Sequence, residues 1–256
     1  MVRQHLAKSG LGAKEGFRWR GHEISRFEGL SDAVFGFAIT LLIVSLEVPR
    51  TFDDLLATMR GFGAFAACFV LLMVIWYQQY IYFRRYGLED GFTIVLNSVL
   101  LFTVLFYVYP LKFLFMLLFN SWFKLSMDVR LPDGRTLPTI RAEQMPLLMI
   151  IYGAGFIAVA LVFIFLYRHA WNKRAELELN ELELLDTRSS ISDSVINLGV
   201  GTASVALAAI GGVKMVAWAG FLYPVVLTPA QTFSGMYFGW QRRKIEERLR
   251  HKAHAG

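Results

Sequence analysis

The sequence predicts an all-α integral membrane protein with six transmembrane helices, and three observations carry that expectation. Hydrophobic residues make up 55% of the chain against 18% charged, and the mean hydropathy is +0.46, leaving too few polar side chains to cover a soluble globule of this size. The apolar residues gather into blocks of about 20, the helix length that crosses about 30 Å of hydrocarbon. The basic residues behind the net charge of +6 stand mainly in the tails and between the blocks. That distribution fits a membrane surface better than nucleic acid, so no nucleic-acid partner is expected.

Residues 1–25 mix Arg, Lys, Gly and His with no apolar core, which excludes a cleavable signal peptide and marks a tail. A membrane domain then runs over 26–240, with spans expected at 28–48, 60–82, 92–118, 146–168, 192–212 and 216–238, followed by a basic tail over 241–256. The fifth span is the least hydrophobic. It is rich in small residues (Gly199, Gly201, Ala203, Ser204, Ala206, Ala208), which let a neighbouring backbone approach closely, so it is expected inside a bundle. The longest connection, about Asn120 to Met145, has a turn signal at Pro132-Asp133-Gly134 and room for a β hairpin. Lys173 to Asp186, acidic residues among leucines, reads as a short amphipathic helix joining spans four and five.

An even number of spans puts both termini on one side. That side collects most of the basic residues: the first tail, Arg84 and Arg85, Arg168 to Arg188, and the last tail. The positive-inside rule therefore places both tails in the cytoplasm.

Little in the chain suggests covalent chemistry. The histidines His5, His22, His169, His251 and His254 lie in tails or at a span end, without metal-ligand spacing, so neither metal nor cofactor is expected. Cys68 is the only cysteine and lies within an apolar block, which rules out a disulfide framework. No nucleotide loop or metalloprotease motif is present. "NLGVGTAS" from Asn197 reads as small-residue helix packing rather than a carbonyl-lined filter, since it sits mid-helix and no Tyr-Gly follows.

What remains are polar residues at membrane depth, which are costly unless paired. Gln78 and Gln79 stand near the end of the second span, Asn97 in the third and Lys112 toward the third's far end. Lys112 can snorkel to the interface. Asn97 suits an interhelical hydrogen bond, with Ser31 or Asp32 at the matching depth.

The charged opening of the first span, "RFEGLSDAVFGFAITLL", resembles the R-x-x-x-F-S-D signature of the transmembrane protein 175 family of bacterial and lysosomal potassium channels. Arg26, Leu30, Ser31 and Asp32 match, with Leu30 for the usual Phe. In "WYQQYIYFRR", Trp76, Phe83 and Arg84 fit a family pattern of Trp, two His, Phe and Arg, while Gln79 and Tyr80 replace the histidines. Asn97 and Pro110 fit the third helix. The likeness is good over about residues 24–118 and rests on topology beyond.

That resemblance implies a homotetramer whose first helices surround one axis, with potassium ions and the lipid bilayer as partners and the plasma membrane of a prokaryote as location. Helix geometry, at about 100° per residue, puts Leu30, Phe37, Leu41, Val44 and Val48 on one apolar stripe with Thr40 beside it. The resemblance makes that stripe a filter, with Phe37 at the position usually held by isoleucine. Asp32 lies about 140° from Phe37 and faces neighbouring helices. An apolar ring cannot replace an ion's hydration shell, so passage requires partial dehydration, and dewetting offers a gate. Glu28 and Glu47 read either as mouths that gather cations or as solvated interface charges. The competing reading is a secondary transporter; only one copy of the six-span unit is visible, with no second, inverted copy. A membrane-embedded enzyme lacks a catalytic cluster, so none is expected.

Overall fold

The computed structural model describes residues 17–21, 25–44, 51–60, 62–122, 128–130 and 136–254. The elements in order are α1 (Arg26–Val44), α2 (Phe52–Arg60), α3 (Phe62–Tyr86), α4 (Gly91–Trp122), β1 (Asp128–Arg130), β2 (Thr136–Pro138), α5 (Met145–Asn172), α6 (Glu181–Leu222), a π turn (Tyr223–Leu227) and α7 (Thr228–His254).

Local chemistry sets the helix starts. The Ser25 hydroxyl accepts the Glu28 N–H at 3.1 Å and opens α1, and Asp90 accepts the Thr93 N–H at 3.0 Å to open α4. At α6, Asn180 and Glu183 form a reciprocal capping box. This corrects the expectation of a separate amphipathic helix over Lys173 to Asp186. Residues 173–178 are turns, and the acidic stretch forms the first turns of α6 itself. Pro110 sits inside α4 without breaking it, and the Tyr152 hydroxyl donates to its carbonyl.

Among the described residues, five helical segments are long and apolar enough to cross a membrane: Arg26–Val44, Phe62–Tyr86, Gly91–Ser121, Ala142–Asn172 and Glu181–His251. The expected fifth and sixth spans both lie in the last of these, which doubles back on itself. Gly212, at φ 52° and ψ −144°, breaks the helix in a conformation that suits glycine. Beyond it the returning chain is tied to α6 in antiparallel order: Ser204 to the Ala219 carbonyl, Asn197 to Gln231, Asp193 to Ser234 and Asp186 to Arg242. The small-residue face of α6 is divided, with Gly201, Ser204 and Ala208 buried and Gly199, Ala203 and Ala206 exposed.

Among the described residues, α2, β1 and β2 are smaller elements. α2 fills the link between the first two expected spans. β1 and β2 pair antiparallel, Val129 opposite Leu137; the Pro132-Asp133-Gly134 turn lies outside the described residues.

Two apolar clusters hold the bundle. One joins α1, α3 and α4 through Phe35, Ala38, Leu42, Cys68, Leu72, Leu101, Val104 and Val108. The other joins α3, α4 and α5 around Tyr82, Phe83, Tyr86, Leu100, Phe163, Leu166 and Tyr167, and takes in Phe17 from ahead of α1. Its rings meet edge to face, as Tyr82 and Tyr167 do at 5.5 Å and 81°.

Candidate functional site

The mouth of α1 is fixed by two polar ties on adjacent residues. Gln79 donates to the Asn97 carbonyl oxygen at 2.5 Å, Asn97 donates to the Ser31 hydroxyl at 2.8 Å, and Ser31 donates to the Phe27 carbonyl at 2.9 Å. Ser31, Gln79 and Asn97 are all buried, so the relay crosses α3, α4 and α1 with each side chain partnered. Next to it, the Trp76 indole N–H donates to Asp32 at 2.8 Å. Of the two partners the sequence offers Asn97, the structure selects Ser31, and Asp32 turns to Trp76 on α3. Gln79, read in sequence as a polar residue at membrane depth and as a replaced histidine, is the third member of the relay.

Arg26 and Leu30 stand exposed at the mouth. Glu28 does not: its carboxylate is 4.0 Å from Arg84, and both side chains are nearly covered. Arg84 in turn donates to the Gly21 carbonyl at 2.7 Å. Glu47 and Val48 lie outside the described residues.

Along α1, the side opposite the ties is bare. Ser31, Phe35, Ala38 and Leu42 are buried, whereas Leu30, Ala33, Phe37, Thr40 and Val44 are exposed. Phe37 is 58% and Val44 74% exposed. The spacing of the exposed set, three and four residues in turn, keeps it on one face. Thr40 belongs to that face, with its hydroxyl donating to the Gly36 carbonyl at 2.6 Å. Leu41 does not: it is partly buried and packs against the Phe35–Leu42 cluster. Of the expected stripe, Leu30, Phe37 and Val44 are thus exposed together with the flanking Thr40, and Leu41 is partly buried.

The end of the bundle that carries both termini is charged and well paired. Asp90, in the α3–α4 link, accepts from His169 at 2.7 Å and from Lys173 at 3.1 Å. Burial alone would raise its carboxyl, but the hydrogen bonds from His169, the Thr93 N–H and Lys173 hold it below the usual carboxylate range. The Lys173 ammonium is correspondingly raised by that bond to Asp90. Asp193, on α6 within the expected fifth span, accepts from the Ser234 hydroxyl at 2.8 Å. It went unnoticed in sequence because it stands at the edge of its apolar block. Among the described residues, no group of three or more His, Cys, Asp or Glu is placed to hold a metal ion.

The model of the family "Endosomal/lysosomal potassium channel TMEM175" matches residues 26–107, which hold α1, the Trp76–Gln79 stretch and the Asn97 helix. A potassium channel of Marivirga tractuosa is 41% identical over 216 residues, 83% of this chain and 87% of that one. A potassium channel of Chamaesiphon minutus is 27% identical over 156 residues, 58% of this chain and 66% of that one. Among solved structures, a variant of the potassium channel MtTMEM175, crystallised with a nanobody–MBP fusion, superposes with a TM-score of 0.76 at 39% identity, covering 89% of this chain and 99% of that one. With the signature residues gathered at the mouth of α1 and relatives matching over most of their length, this chain belongs to the TMEM175 family.

Proposed function

We propose that the protein is a potassium-preferring cation channel of a prokaryotic plasma membrane. Four copies surround an axis lined by the exposed face of α1, each chain crosses the bilayer six times, and both termini are cytoplasmic. On this reading 26–240 is the channel domain, flanked by cytoplasmic tails over 1–25 and 241–256. The observation that carries the proposal is the bare face of α1. It runs through Leu30, Ala33, Phe37, Thr40 and Val44, while the opposite face is pinned to α3 and α4 by the Ser31 and Asp32 ties.

Exposure alone is shared by lipid-facing positions such as Phe102 and Phe106 on α4. The α1 face differs in composition. It sets Gly29, Ala33, Gly36 and Thr40 among its larger side chains, which suits close approach of equivalent helices better than contact with acyl chains. Relatives named as potassium channels supply the ion, and their bacterial sources supply the membrane. The doubling of α6 onto α7 supports six crossings, and the paired charges at the terminal end support a wetted surface there.

The filter layers on this face are Phe37, Thr40 and Val44, with Leu41, a layer of the stripe expected from sequence, beside them. Rings of Phe37 and Val44 side chains present no oxygens to replace a hydration shell, so ions that shed water more readily pass more easily and a dry ring closes the path. The Ser31–Asn97–Gln79 and Asp32–Trp76 ties hold the helix mouth in register, with Arg26 and Leu30 completing the signature at that mouth. No observation favours an obligatory counter-ion, and the transporter reading is set aside.

Potassium flux from liposomes containing the purified protein tests this. Flux that follows the potassium gradient without a second ion is expected, together with a tetramer mass in mild detergent. A stable monomer, or flux that requires a proton or sodium gradient, contradicts it.

A further inference from the structure

Ahead of α1, residues Phe17–Gly21 are pressed onto the bundle instead of trailing from it. Phe17 is 1% exposed and meets Tyr86 edge to face at 5.6 Å. The guanidiniums of Arg20 and Arg85 lie over its ring at 5.7 and 4.9 Å. The backbone N–H groups of Arg20 and Gly21 both donate to the Arg84 carbonyl, at 3.0 and 3.3 Å. At Gly21 a Cβ would stand 2.6 Å from the Phe83 carbonyl oxygen, so the segment docks this closely only with glycine there.

The charged half of the contact converges on one carboxylate. Glu183, in the first turn of α6, has a side chain with no exposure. It accepts from the Arg18 N–H at 2.8 Å, the Arg18 Nε at 3.3 Å, the Arg20 guanidinium at 2.8 Å and the Asn180 N–H at 3.0 Å. A buried carboxylate is tolerated only when so paired, and removing its charge releases both arginines at once. The docked segment therefore bridges the end of α3 and the start of α6. Only residues 22–24 separate it from Ser25, the cap of α1, and Arg84 links it again to Glu28 in the first turn.

We propose that Phe17–Gly21 is a latch, anchored on α6 by Glu183, that holds the mouth of α1 back against α3 and so favours the conducting state; this rests on the channel reading above. The direction follows from the geometry. The latch draws α1 toward the side where Ser31 and Asp32 are tied and away from its bare apolar face. Without it, four such faces are free to close on one another and expel water from between them. Glu183 and Arg20 are thus positioning residues: they touch no ion and act through the placement of α1.

The test joins single-channel recording of the full-length protein in planar bilayers with hydrogen exchange of the backbone amides of residues 17–21. In Glu183→Gln, exchange at Arg20 and Gly21 is expected to rise by about tenfold or more as the local contact opens. Open probability should fall severalfold, while single-channel current and potassium preference stay as in the wild type. Gly21→Ala, which forces the segment off Phe83 without touching the anchor, should do the same, and it stands in if Glu183→Gln does not assemble. Faster exchange with unchanged open probability overturns the proposal, and so does unchanged exchange in both variants. A change in single-channel current or selectivity also overturns it, because it puts these residues in the pore's own shape. A wild-type protein that passes no potassium current overturns the channel reading and the coupling with it, even where the exchange results still report the docked segment.

Discussion

The two ends of this bundle are held by different chemistry. At the terminal end, helices are joined by paired charges and buried polar groups: Glu183 with Arg18 and Arg20, Asp90 with His169 and Lys173, Asp186 with Arg242, Tyr86 with Thr187 at 2.8 Å, and the Ser31–Asn97–Gln79 relay. Toward the other end, the ties between α4 and α5 among the described residues are hydroxyl to carbonyl, Tyr107 to Ile151 at 3.0 Å and Tyr152 to Pro110. Between them the Phe35–Leu42 cluster packs apolar side chains of α1, α3 and α4. In lipid such packing gains little from the hydrophobic effect, because acyl chains are as apolar as leucine. The contrast teaches where α1 is fixed. Its mouth is locked by directional bonds, while beyond Asp32 its buried side chains Phe35, Ala38 and Leu42 pack in an apolar cluster.

Removing the polar lock should have the largest effect. Asn97→Ala leaves the buried Gln79 amide without its partner, at about 1–3 kcal/mol, while the Ser31 hydroxyl keeps its bond to the Phe27 carbonyl. A clear drop in unfolding temperature in mild detergent is expected. A change no larger than that of an exposed substitution such as Val195→Ala would break the comparison.

The apolar half of α1 gives the next effect, and it distinguishes the helix's two faces. Leu42 is 1% exposed, so Leu42→Ala leaves a cavity at a cost of about 2 kcal/mol, the low end of the usual range because lipid returns little transfer energy. Phe37→Ala, on the bare face, should leave the protomer's unfolding unaffected. Equal destabilisation by both would mean that Phe37 packs into the gap between neighbouring first helices. Smaller still, Tyr86→Phe should cost only about 1 kcal/mol, since Thr187 keeps its bond to the Glu183 carbonyl.

Acid sharpens the comparison from the charged side. The Asp90 carboxyl is depressed in the folded protein, so the stability it contributes is present above its unfolded value of about 4. It is lost as pH falls through that value toward the folded one. Unfolding temperature should fall with acidification below this point, and the fall should be shallower in Asp90→Asn. Identical profiles would show that the Asp90–His169–Lys173 contact adds nothing.

The apolar half of the molecule was the more legible in sequence. Long hydrophobic blocks dictate helices, and the break at Gly212 falls on the last residue of the block assigned to span five. Of the stripe that periodicity gave α1, Leu30, Phe37 and Val44 are exposed with the flanking Thr40 and Leu41 is partly buried, while Val48 lies outside the described residues. The polar half was less legible because its partners lie far apart in the chain. Arg18 and Glu183 carry no mutual signal across such a separation, and a basic tail with one Phe reads like any solvated tail. Nothing in the local pattern chooses between Ser31 and Asp32 as the partner of Asn97. One signal was readable: Asn180 and Glu183 have the spacing of a capping box and place the start of α6 where the structure has it. Asp193 was hidden at the edge of its apolar block, and its partner Ser234 depends on how the chain doubles back.

The central claim is that the bare face of α1 lines the path of potassium, and recording Phe37→Ala in planar bilayers beside the wild type tests it most directly. The side chain is 58% exposed in the protomer, and its ring fills more of a narrow axis than a methyl group does. The account predicts a larger single-channel current and a weaker preference for potassium over sodium, because ions would pass with more of their water. Current and selectivity identical to the wild type would contradict it and remove Phe37 from the filter.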